Sequence, residues 1–236
     1  MKNISYYMFS YYGSKSKIID LYPAPKHDTI IEPFAGSARY SLKYFDRDIY
    51  LYDKYDVIVR MWKFLQKCSP NDILSLPDFK QGDLVRDFNF DCIEMEWLVG
   101  FMVGKGRPIP SNKVSKWGAM RYRTDKIRIA KNLHKIKHWH IEHKQYTEIE
   151  NIDAVWFIDP PYETKGFLYK HNKIDYNHLA SFCKSRKGQV IVCEAQDATW
   201  LPFKSLPTNQ RTSKGVSNEA IWSNEQLNLG HQCVLF

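Results

Sequence analysis

Ala154-Val155-Trp156-Phe157-Ile158-Asp159-Pro160-Pro161-Tyr162 is the stretch of the chain that decides the fold. Its apolar first half favours a strand that is buried on both faces of a mostly parallel sheet. The two prolines have no backbone N–H to donate, so the strand has to end before them. We therefore expect Asp159 and Tyr162 at the carboxyl edge of the sheet, where open α/β folds bind their ligands.

The residues at this strand end suit chemistry on the amino group of a flat heterocycle. A carboxylate and a proline carbonyl both accept hydrogen bonds from an exocyclic amine, and a tyrosine ring can stack on a base. The tetrapeptide alone leaves an alternative open, which is an ordinary Pro-Pro turn with a surface tyrosine. A short motif is a hypothesis until its structural context supports it.

Composition indicates one globular domain, with room for an insertion. The chain has 236 residues, of which 44% are hydrophobic and 15% aromatic, and this argues against global disorder. No apolar run is long enough to cross a bilayer, and the N-terminus lacks the apolar core of a signal peptide. Five cysteines without a Cys-x-x-Cys pair argue against a disulfide framework and a cysteine zinc site. We therefore expect a cytoplasmic protein with reduced thiols and without a membrane partner.

The positive charge is concentrated in one segment. The formal net charge is +8, and residues 101–144 hold twelve Lys or Arg against two acidic residues, a balance of +10, so that the rest sums to −2. A localised basic patch is the electrostatic footprint of a polyanionic partner. The alternative is a solvated basic face without a partner.

Strands and helices alternate on both sides of a central block. Residues 29–32 and 49–52 are predicted strands, each followed by a helix, which implies a parallel sheet with right-handed crossovers. The block 69–139 lacks this alternation and contains an apolar helix around 93–103 and a later basic helix. The alternation resumes at 140–143 and continues with strands that end at Asp159 and Glu194. Residues 219–222 and 232–236 could form a closing pair, which gives about seven strands in total.

The first strand leads into a loop of small residues that lets the backbone approach a ligand closely. Asp53 ends the next strand, where an acid can accept hydrogen bonds from ribose hydroxyls. The loop has a single glycine, Gly36, and lacks the pattern of a phosphate-binding loop. A nucleoside without a pyrophosphate therefore fits this end of the sheet better than a dinucleotide.

With these motifs in this order, the chain resembles the Dam-like class (D12, alpha-group) of DNA adenine-N6 methyltransferases, especially small phage-type members. Residues 11–15 (Tyr-Tyr-Gly-Ser-Lys) are similar to the N-terminal cofactor motif, and residues 32–37 (Glu-Pro-Phe-Ala-Gly-Ser) to the glycine loop. Asp53 matches the ribose-binding acid, and residues 159–162 match the catalytic motif. The basic block occupies the interval of the target-recognition region, and residues 217–222 resemble a late family strand.

The resemblance implies a Rossmann-like, three-layer α/β methyltransferase sheet of about seven strands. Residues 1–68 and 140–236 would form the catalytic domain, and 69–139 a mainly helical DNA-recognition insertion. The implied activity moves a methyl group from S-adenosyl-L-methionine to the N6 amine of a flipped adenine in double-stranded DNA, without a metal. The implied cofactor-binding residues are Tyr11, Gly13, Lys15, Glu32, Pro33, Phe34, Ala35, Gly36, Ser37, Asp53, Gln145, Tyr146 and Asp159. The implied catalytic residues are Asp159, Pro160 and Tyr162, and the candidate DNA contacts are Lys105, Arg107, Lys113, Lys116, Arg121 and Arg123.

Two positions depart from the family pattern. Ala38 stands where the family loop often has a second glycine, and alanine, which is still small, is tolerable there if the position keeps a negative φ. Gln145 stands where many relatives carry an acid. Its amide can still accept a hydrogen bond from the adenine amine of the cofactor.

The sequence leaves other functions open. The methyl acceptor could be cytosine N4, RNA adenine or a protein amide, although an acid at the first motif position favours adenine over cytosine. The chain could also be a non-catalytic DNA-binding relative. We expect a monomer or weak dimer, and a restriction endonuclease partner would have to be a separate chain.

Several further residues are read as structural rather than functional. We interpret Trp97 and Trp117 as packing residues, since aromatic side chains mostly serve burial. We interpret the histidines of residues 134–143 as a basic passage from helix to strand, because their spacing is not that of a zinc site. Glu194 is expected either to border the site or to be a structural carboxylate.

Overall fold

The structure is a computed structural model that describes residues 7–15, 18–104, 106–207, 211–212, 215–216 and 219–227. In chain order its strands are β1 (Thr29–Glu32), β2 (Asp48–Asp53), β3 (His140–His143), β4 (Ala154–Ile158), β5 (Gly188–Ala195), β6 (Lys204–Ser205), β7 (Arg211–Thr212), β8 (Gly215–Val216) and β9 (Glu219–Ser223). Its α-helices are α1 (Arg39–Lys43), α2 (Asp56–Lys67), α3 (Pro70–Leu74), α4 (Ile93–Val103), α5 (Lys116–Asn132) and α6 (Tyr176–Ser185).

Within the described residues the main sheet has seven strands in the order β3-β2-β1-β4-β5-β9-β6. The strands from β1 to β5 run parallel to one another, and β9 is antiparallel to both β5 and β6. β7 and β8 form a separate antiparallel pair. This arrangement confirms the prediction of an α/β, Rossmann-like sheet of about seven strands.

The last strands differ in detail from the expectation. β9 pairs with β5 and with β6, a strand of only two exposed residues that has no periodic signal in the sequence. The expected partner of β9, residues 232–236, lies outside the described residues. Part of the late family strand at 217–222 lies outside them as well, at residues 217–218.

Helices cover both faces of the sheet and complete the three layers. Val155 and Phe157 of β4 belong to a core cluster that also contains residues of α2, α4 and α5. Trp156 and Ile158 point to the opposite face and pack in the cluster that contains residues of α6. This alternation follows from the period of two residues in a strand, and it makes β4 apolar on both faces.

The helices of the basic block share the core of the sheet. Phe101 of α4 and Ile129 of α5 are fully buried in the cluster that contains Trp62 of α2. Burial of each such side chain stabilises the fold by about 1.5–3 kcal/mol. The block 69–139 therefore packs continuously with the sheet, and its description as a separate recognition unit stays a prediction.

Local contacts fix α5 against α4. The Ser115 hydroxyl accepts a hydrogen bond from Gly118 N over 2.9 Å and donates one to Val103 O over 2.7 Å. A Cβ atom on Gly118 would lie 2.3 Å from Val103 O, so only glycine allows this approach. The first turn of α5 is thus held rigidly on the body of the protein. Among the described residues, no helix combines the length and the apolarity that a bilayer crossing requires.

Candidate active site

A cavity of about 220 Å³ opens at the carboxyl edge of the sheet, between the ends of β1, β2, β3 and β4 and the N-terminal segment 11–15. Every residue that the sequence predicts to bind the cofactor lines this cavity. These residues are Tyr11, Gly13, Lys15, Glu32, Pro33, Phe34, Ala35, Gly36, Ser37, Asp53, Gln145, Tyr146 and Asp159. The fold therefore brings segments together that are far apart in sequence, whereas the roles of the residues stay predictions.

Asp53 links the end of β2 to the glycine loop. Its Oδ2 accepts a hydrogen bond from Gly36 N over 3.0 Å, and its Oδ1 accepts one from Tyr55 N over 2.8 Å. Burial raises the pKa of Asp53 to about 6, although both backbone hydrogen bonds act in the opposite direction. Each carboxylate oxygen has a second lone pair, so Asp53 is also equipped to accept from a ligand hydroxyl.

Glu32 ties the glycine loop to the helix that follows it. Its Oε1 accepts from Ser41 N over 2.8 Å and from Ser41 Oγ over 2.6 Å. Burial raises the pKa of Glu32 to about 8, and the bonds from Ser41 oppose this shift. Glu32 thus borders the cavity and also holds the first turns of α1.

Ala38 lies in the left-handed region of backbone space, with φ +44° and ψ +48°. The condition of a negative φ is not met, because the sharp turn from the glycine loop into α1 places a left-handed residue directly before the helix. A left-handed residue with a Cβ atom costs about 1–2 kcal/mol. The backbone therefore takes a glycine-like conformation at a position that holds alanine.

Two aromatic rings border the part of the cavity near β3. The rings of Phe34 and Tyr146 have centroids 5.6 Å apart, and Gln145 lies exposed beside them. The Tyr146 hydroxyl is 2.8 Å from Nδ1 of His178 in α6. Apolar ring faces next to an amide are suited to the face and the edge of a flat heterocycle.

Lys15 and Asp159 form a buried ion pair at the opposite part of the cavity. Lys15 Nζ lies 2.9 Å from Asp159 Oδ1, and it donates to Gly13 O over 3.0 Å, while only 6% of the lysine side chain is exposed. Burial raises the pKa of Asp159, and Lys15 acts in the opposite direction. Burial alone would lower the pKa of Lys15, but the carboxylates of Asp159 and Glu219 reverse the effect and raise it.

The rest of the predicted catalytic motif, residues 159–162, makes more contacts within the protein than its sequence suggests. Asp159 and Pro161 line the cavity, whereas Pro160 and Tyr162 are not among its lining residues. The Tyr162 hydroxyl donates to Glu219 Oε2 over 2.5 Å. Lys15 Nζ lies 4.6 Å from the centroid of the Tyr162 ring, so one ring face already meets a cation.

The loop after the motif forms a wall of the cavity that the sequence did not reveal. It contributes Tyr169, Lys170, His171, Lys173 and Ile174 to the lining. The Tyr169 hydroxyl donates to Tyr12 O over 3.0 Å. A Cβ atom on Gly13 would lie 2.2 Å from the Tyr169 hydroxyl oxygen. No periodicity marks this loop, and its closeness to the catalytic motif is the one signal that could have identified it.

The basic residues proposed for DNA contacts lie on the surface. Arg107, Lys113, Lys116, Arg121 and Arg123 are all exposed, and Lys105 lies outside the described residues. A Cβ atom on Gly106 would lie 3.6 Å from Ser10 Oγ, which places this loop beside the N-terminal segment of the cavity. The sequence has no acidic residue between Glu96 and Asp125. The charged side chains of residues 97–124 are therefore all basic.

Two large apolar side chains protrude from the basic part of α5. Trp117 is 54% exposed and Met120 is 66% exposed. The interpretation of Trp117 as a packing residue is wrong, because Gly118 and Tyr122 instead turn toward the core. Trp97 is partly buried, and the Arg60 guanidinium lies 4.8 Å from its ring centroid.

The remaining candidates have structural partners. His138 Nε2 is 3.1 Å from Arg47 O, His143 Nε2 is 3.0 Å from Lys54 O, and His140 stacks on Tyr50. In the part of the chain that the structure describes, no group of His, Cys, Asp or Glu is arranged to hold a metal ion.

Glu194 is a structural carboxylate beside the loop that follows the catalytic motif. It accepts hydrogen bonds from the backbone N–H of Glu163 over 3.1 Å and from Trp200 Nε1 over 3.2 Å. Burial raises the pKa of Glu194 to about 7. Its bonds hold the first residue after the motif against the end of β5.

Comparison with known proteins gives distant structural likenesses. No protein-family model and no curated protein matches the sequence. Among solved structures, "Putative methyltransferase yhhF" from Escherichia coli is 10% identical in sequence and gives a TM-score of 0.37. The aligned region covers 84% of this chain and 76% of the Escherichia coli chain. A "conserved hypothetical protein" from Streptococcus pyogenes is 12% identical in sequence and gives a TM-score of 0.31. The aligned region covers 84% of this chain and 86% of the Streptococcus pyogenes chain. These likenesses bear on neither the substrate nor the cofactor.

Proposed function

We propose that the protein is an S-adenosylmethionine-dependent methyltransferase that modifies the N6 amine of adenine in double-stranded DNA. The observation that carries the proposal is the shared cavity of Asp53 and Asp159 at the carboxyl edge of the sheet. One acid lies beside the glycine loop, and the other begins the motif that resembles the family's catalytic tetrapeptide. A cofactor held at Asp53 and an amine held at Asp159 would therefore lie within reach of each other in one cavity.

The chemistry of the lining residues fits the proposed cofactor. Asp53 offers carboxylate oxygens to ribose hydroxyls, and Phe34 and Tyr146 offer ring faces to the adenine. Gln145 would accept from the adenine amine. When bound, S-adenosylmethionine would supply the methyl group that is transferred.

The chain's own residues would prepare the target amine. An adenine amine is a weak nucleophile, because its lone pair is delocalised into the ring. Asp159 and the Pro160 carbonyl would accept its two hydrogens and favour a tetrahedral nitrogen with its lone pair directed at the methyl group. The methylated nitrogen has to lose a proton, and the Asp159 carboxylate is the acceptor. Most of the rate gain would come from orientation and preorganised electrostatics.

The Lys15–Asp159 ion pair supports this role for Asp159. The contact engages Oδ1 at 2.9 Å, which fixes the orientation of the carboxylate in the cavity wall. It also counteracts the effect of burial on the pKa of Asp159, and so favours the anionic form that accepts hydrogen bonds.

The basic surface supports DNA as the substrate. The exposed Lys and Arg side chains of residues 107–123 are suited to phosphate contacts, and arginine also recognises guanine in the major groove. Trp117 and Met120 add apolar contact area in the middle of this surface, where base faces or sugars could pack. A paired adenine is inaccessible inside a duplex, so the target base would have to be extruded into the cavity.

The test is methylation of a random-sequence duplex DNA pool with labelled S-adenosylmethionine, followed by nucleoside mass spectrometry. We expect N6-methyladenine in the duplex pool and much less product in an RNA pool of matched composition. Mapping of the modified sites would give the recognition sequence. N4-methylcytosine, a product in RNA alone or no product in either pool would contradict the proposal.

A further inference from the structure

We propose that Glu219 is a positioning residue of the transfer site, which holds the Tyr162 ring and Lys15 so that Asp159 presents its carboxylate in one orientation. The proposal rests on the function proposed above and extends it to a residue outside the catalytic tetrapeptide. Glu219 acts through other side chains, so it is not itself a catalytic residue.

The geometry is a chain of three contacts that ends at Asp159. The Tyr162 hydroxyl donates to Glu219 Oε2 over 2.5 Å, a short distance typical of a hydroxyl that donates to an ionised carboxylate. Lys15 Nζ lies 4.6 Å from the centroid of that ring. The same ammonium lies 2.9 Å from Asp159 Oδ1. Glu219 therefore fixes the ring, the ring supports the cation, and the cation orients the carboxylate.

The fold explains how a residue late in the chain reaches this position. β9 begins at Glu219 and runs antiparallel to β5, with Glu219 opposite Ala195. Leu206 N donates to Glu219 O over 2.9 Å, which anchors the backbone at this point. Because β9 is antiparallel, its first residue lies at the same edge as the last residues of the parallel strands.

Electrostatics connects Glu219 to both members of the ion pair. The titratable groups that face it are Lys15, Tyr22, Asp159, Tyr162, Tyr169 and Cys193. Burial and then the charge of Glu219 raise the pKa of Asp159, whereas Lys15 lowers it. Two carboxylates thus share one buried ammonium. Removal of the Glu219 charge should lower the pKa of Asp159, and removal of the Lys15 charge should raise it.

The experiment measures methyl transfer to the DNA pool by Glu219→Gln, Tyr162→Phe and the double variant at saturating cofactor. We expect each single variant to lower kcat by roughly tenfold to a hundredfold, because a small displacement at a reacting centre is costly. The double variant should be no slower than the slower single variant, because both changes break the same contact. Multiplied losses in the double variant would overturn the proposal.

The pH profile separates positioning from a merely structural role. Glu219→Gln removes a negative charge near Asp159, so the acid limb of kcat should move to lower pH by about half a unit or more. Lys15→Met removes the positive charge and should move the limb to higher pH. The control is Glu163→Gln, which removes an exposed carboxylate adjacent to Tyr162 in sequence and should leave kcat and the limb unchanged. An unmoved limb in Glu219→Gln would overturn the proposal.

A second measurement does not depend on catalysis. Carbon NMR titration of the Asp159 carboxylate should give a lower apparent pKa in Glu219→Gln than in the wild-type protein. If the wild-type protein transfers no methyl group, the proposed function fails, and this titration still decides the role of Glu219. An identical titration in both proteins would contradict that role.

Discussion

The hydroxyl of Tyr169 donates to the backbone carbonyl of Tyr12 over 3.0 Å, and this bond joins segments that are 157 residues apart in the chain. The ring of Tyr169 also packs on Tyr12, with ring centroids 5.2 Å apart. The loop after the predicted catalytic motif is thereby attached to the N-terminal segment. The cavity is enclosed by two segments that hold each other.

Gly13→Ala should disrupt this contact. The new Cβ atom would lie 2.2 Å from Tyr169 Oη, and the φ of +72° at this position is itself unfavourable for alanine. We expect weaker binding of S-adenosylmethionine in calorimetry, with partial recovery when Tyr169→Phe removes the oxygen.

The matched control for Gly13→Ala is Gly82→Ala. Gly82 has a φ of +96°, but its added Cβ atom would meet nothing within 4 Å. This variant should lose only the backbone cost of about 1–2 kcal/mol and keep its cofactor affinity. Equal cofactor affinities in the two variants would show that Tyr169 does not hold the segment 11–15 in place.

Ala38→Gly should stabilise the protein. Glycine adopts the observed φ of +44° without a steric cost, and this gain exceeds the added entropy of the unfolded chain. We expect the free energy of unfolding to rise by about 0.5–1 kcal/mol in denaturant titrations. Ala35→Gly, in the same loop, should have the opposite effect. A less stable Ala38→Gly protein would contradict the left-handed conformation.

Glu32→Gln should flatten the dependence of stability on pH. The pKa of Glu32 is raised from 4.5 to about 8 in the folded protein, so its contribution to stability is complete below pH 4.5 and is lost as the pH rises through 8. Asp53 and Glu194 titrate in both proteins and cancel in the difference. The measurement is the free energy of unfolding from pH 4 to 9, and parallel curves for both proteins would exclude the effect.

Arg123→Gln should reduce the salt dependence of DNA binding. Each phosphate contact that is lost lowers the slope of log Kd against log salt by about one unit. The control is Lys184→Gln, an exposed lysine of α6 on the opposite face of the sheet, which should leave the slope unchanged. Equal slopes for the wild-type protein and Arg123→Gln would show that Arg123 makes no phosphate contact.

Local patterns in the sequence predicted the sheet and most of the cavity. The apolar run of β4 and its two prolines place Asp159 at the sheet edge, and the helical spacing after Asp53 predicts α2, which the structure confirms. These features depend on backbone hydrogen bonding and hydrophobic period, and both are visible within a few residues of sequence.

Features that depend on contacts distant in sequence were missed. The conformation of Ala38 follows from the angle between β1 and α1, and the role of Tyr169 follows from its contact with Tyr12. The exposure of Trp117 depends on which side of α5 meets α4, and Gly118 decides it through its close approach to Val103. A single sequence does not encode such pairings in a local pattern.

We propose that Asp159 prepares the amine for methyl transfer. The most direct measurement is single-turnover transfer to the DNA pool by Asp159→Ala at saturating S-adenosylmethionine, with folding checked by circular dichroism. We predict a rate at least roughly a hundredfold to a thousandfold below the wild-type rate. Asp159→Asn, which keeps the side-chain shape next to Lys15, should be folded and also strongly impaired. A folded Asp159→Ala protein that transfers the methyl group at a rate close to that of the wild-type protein would contradict this role of Asp159.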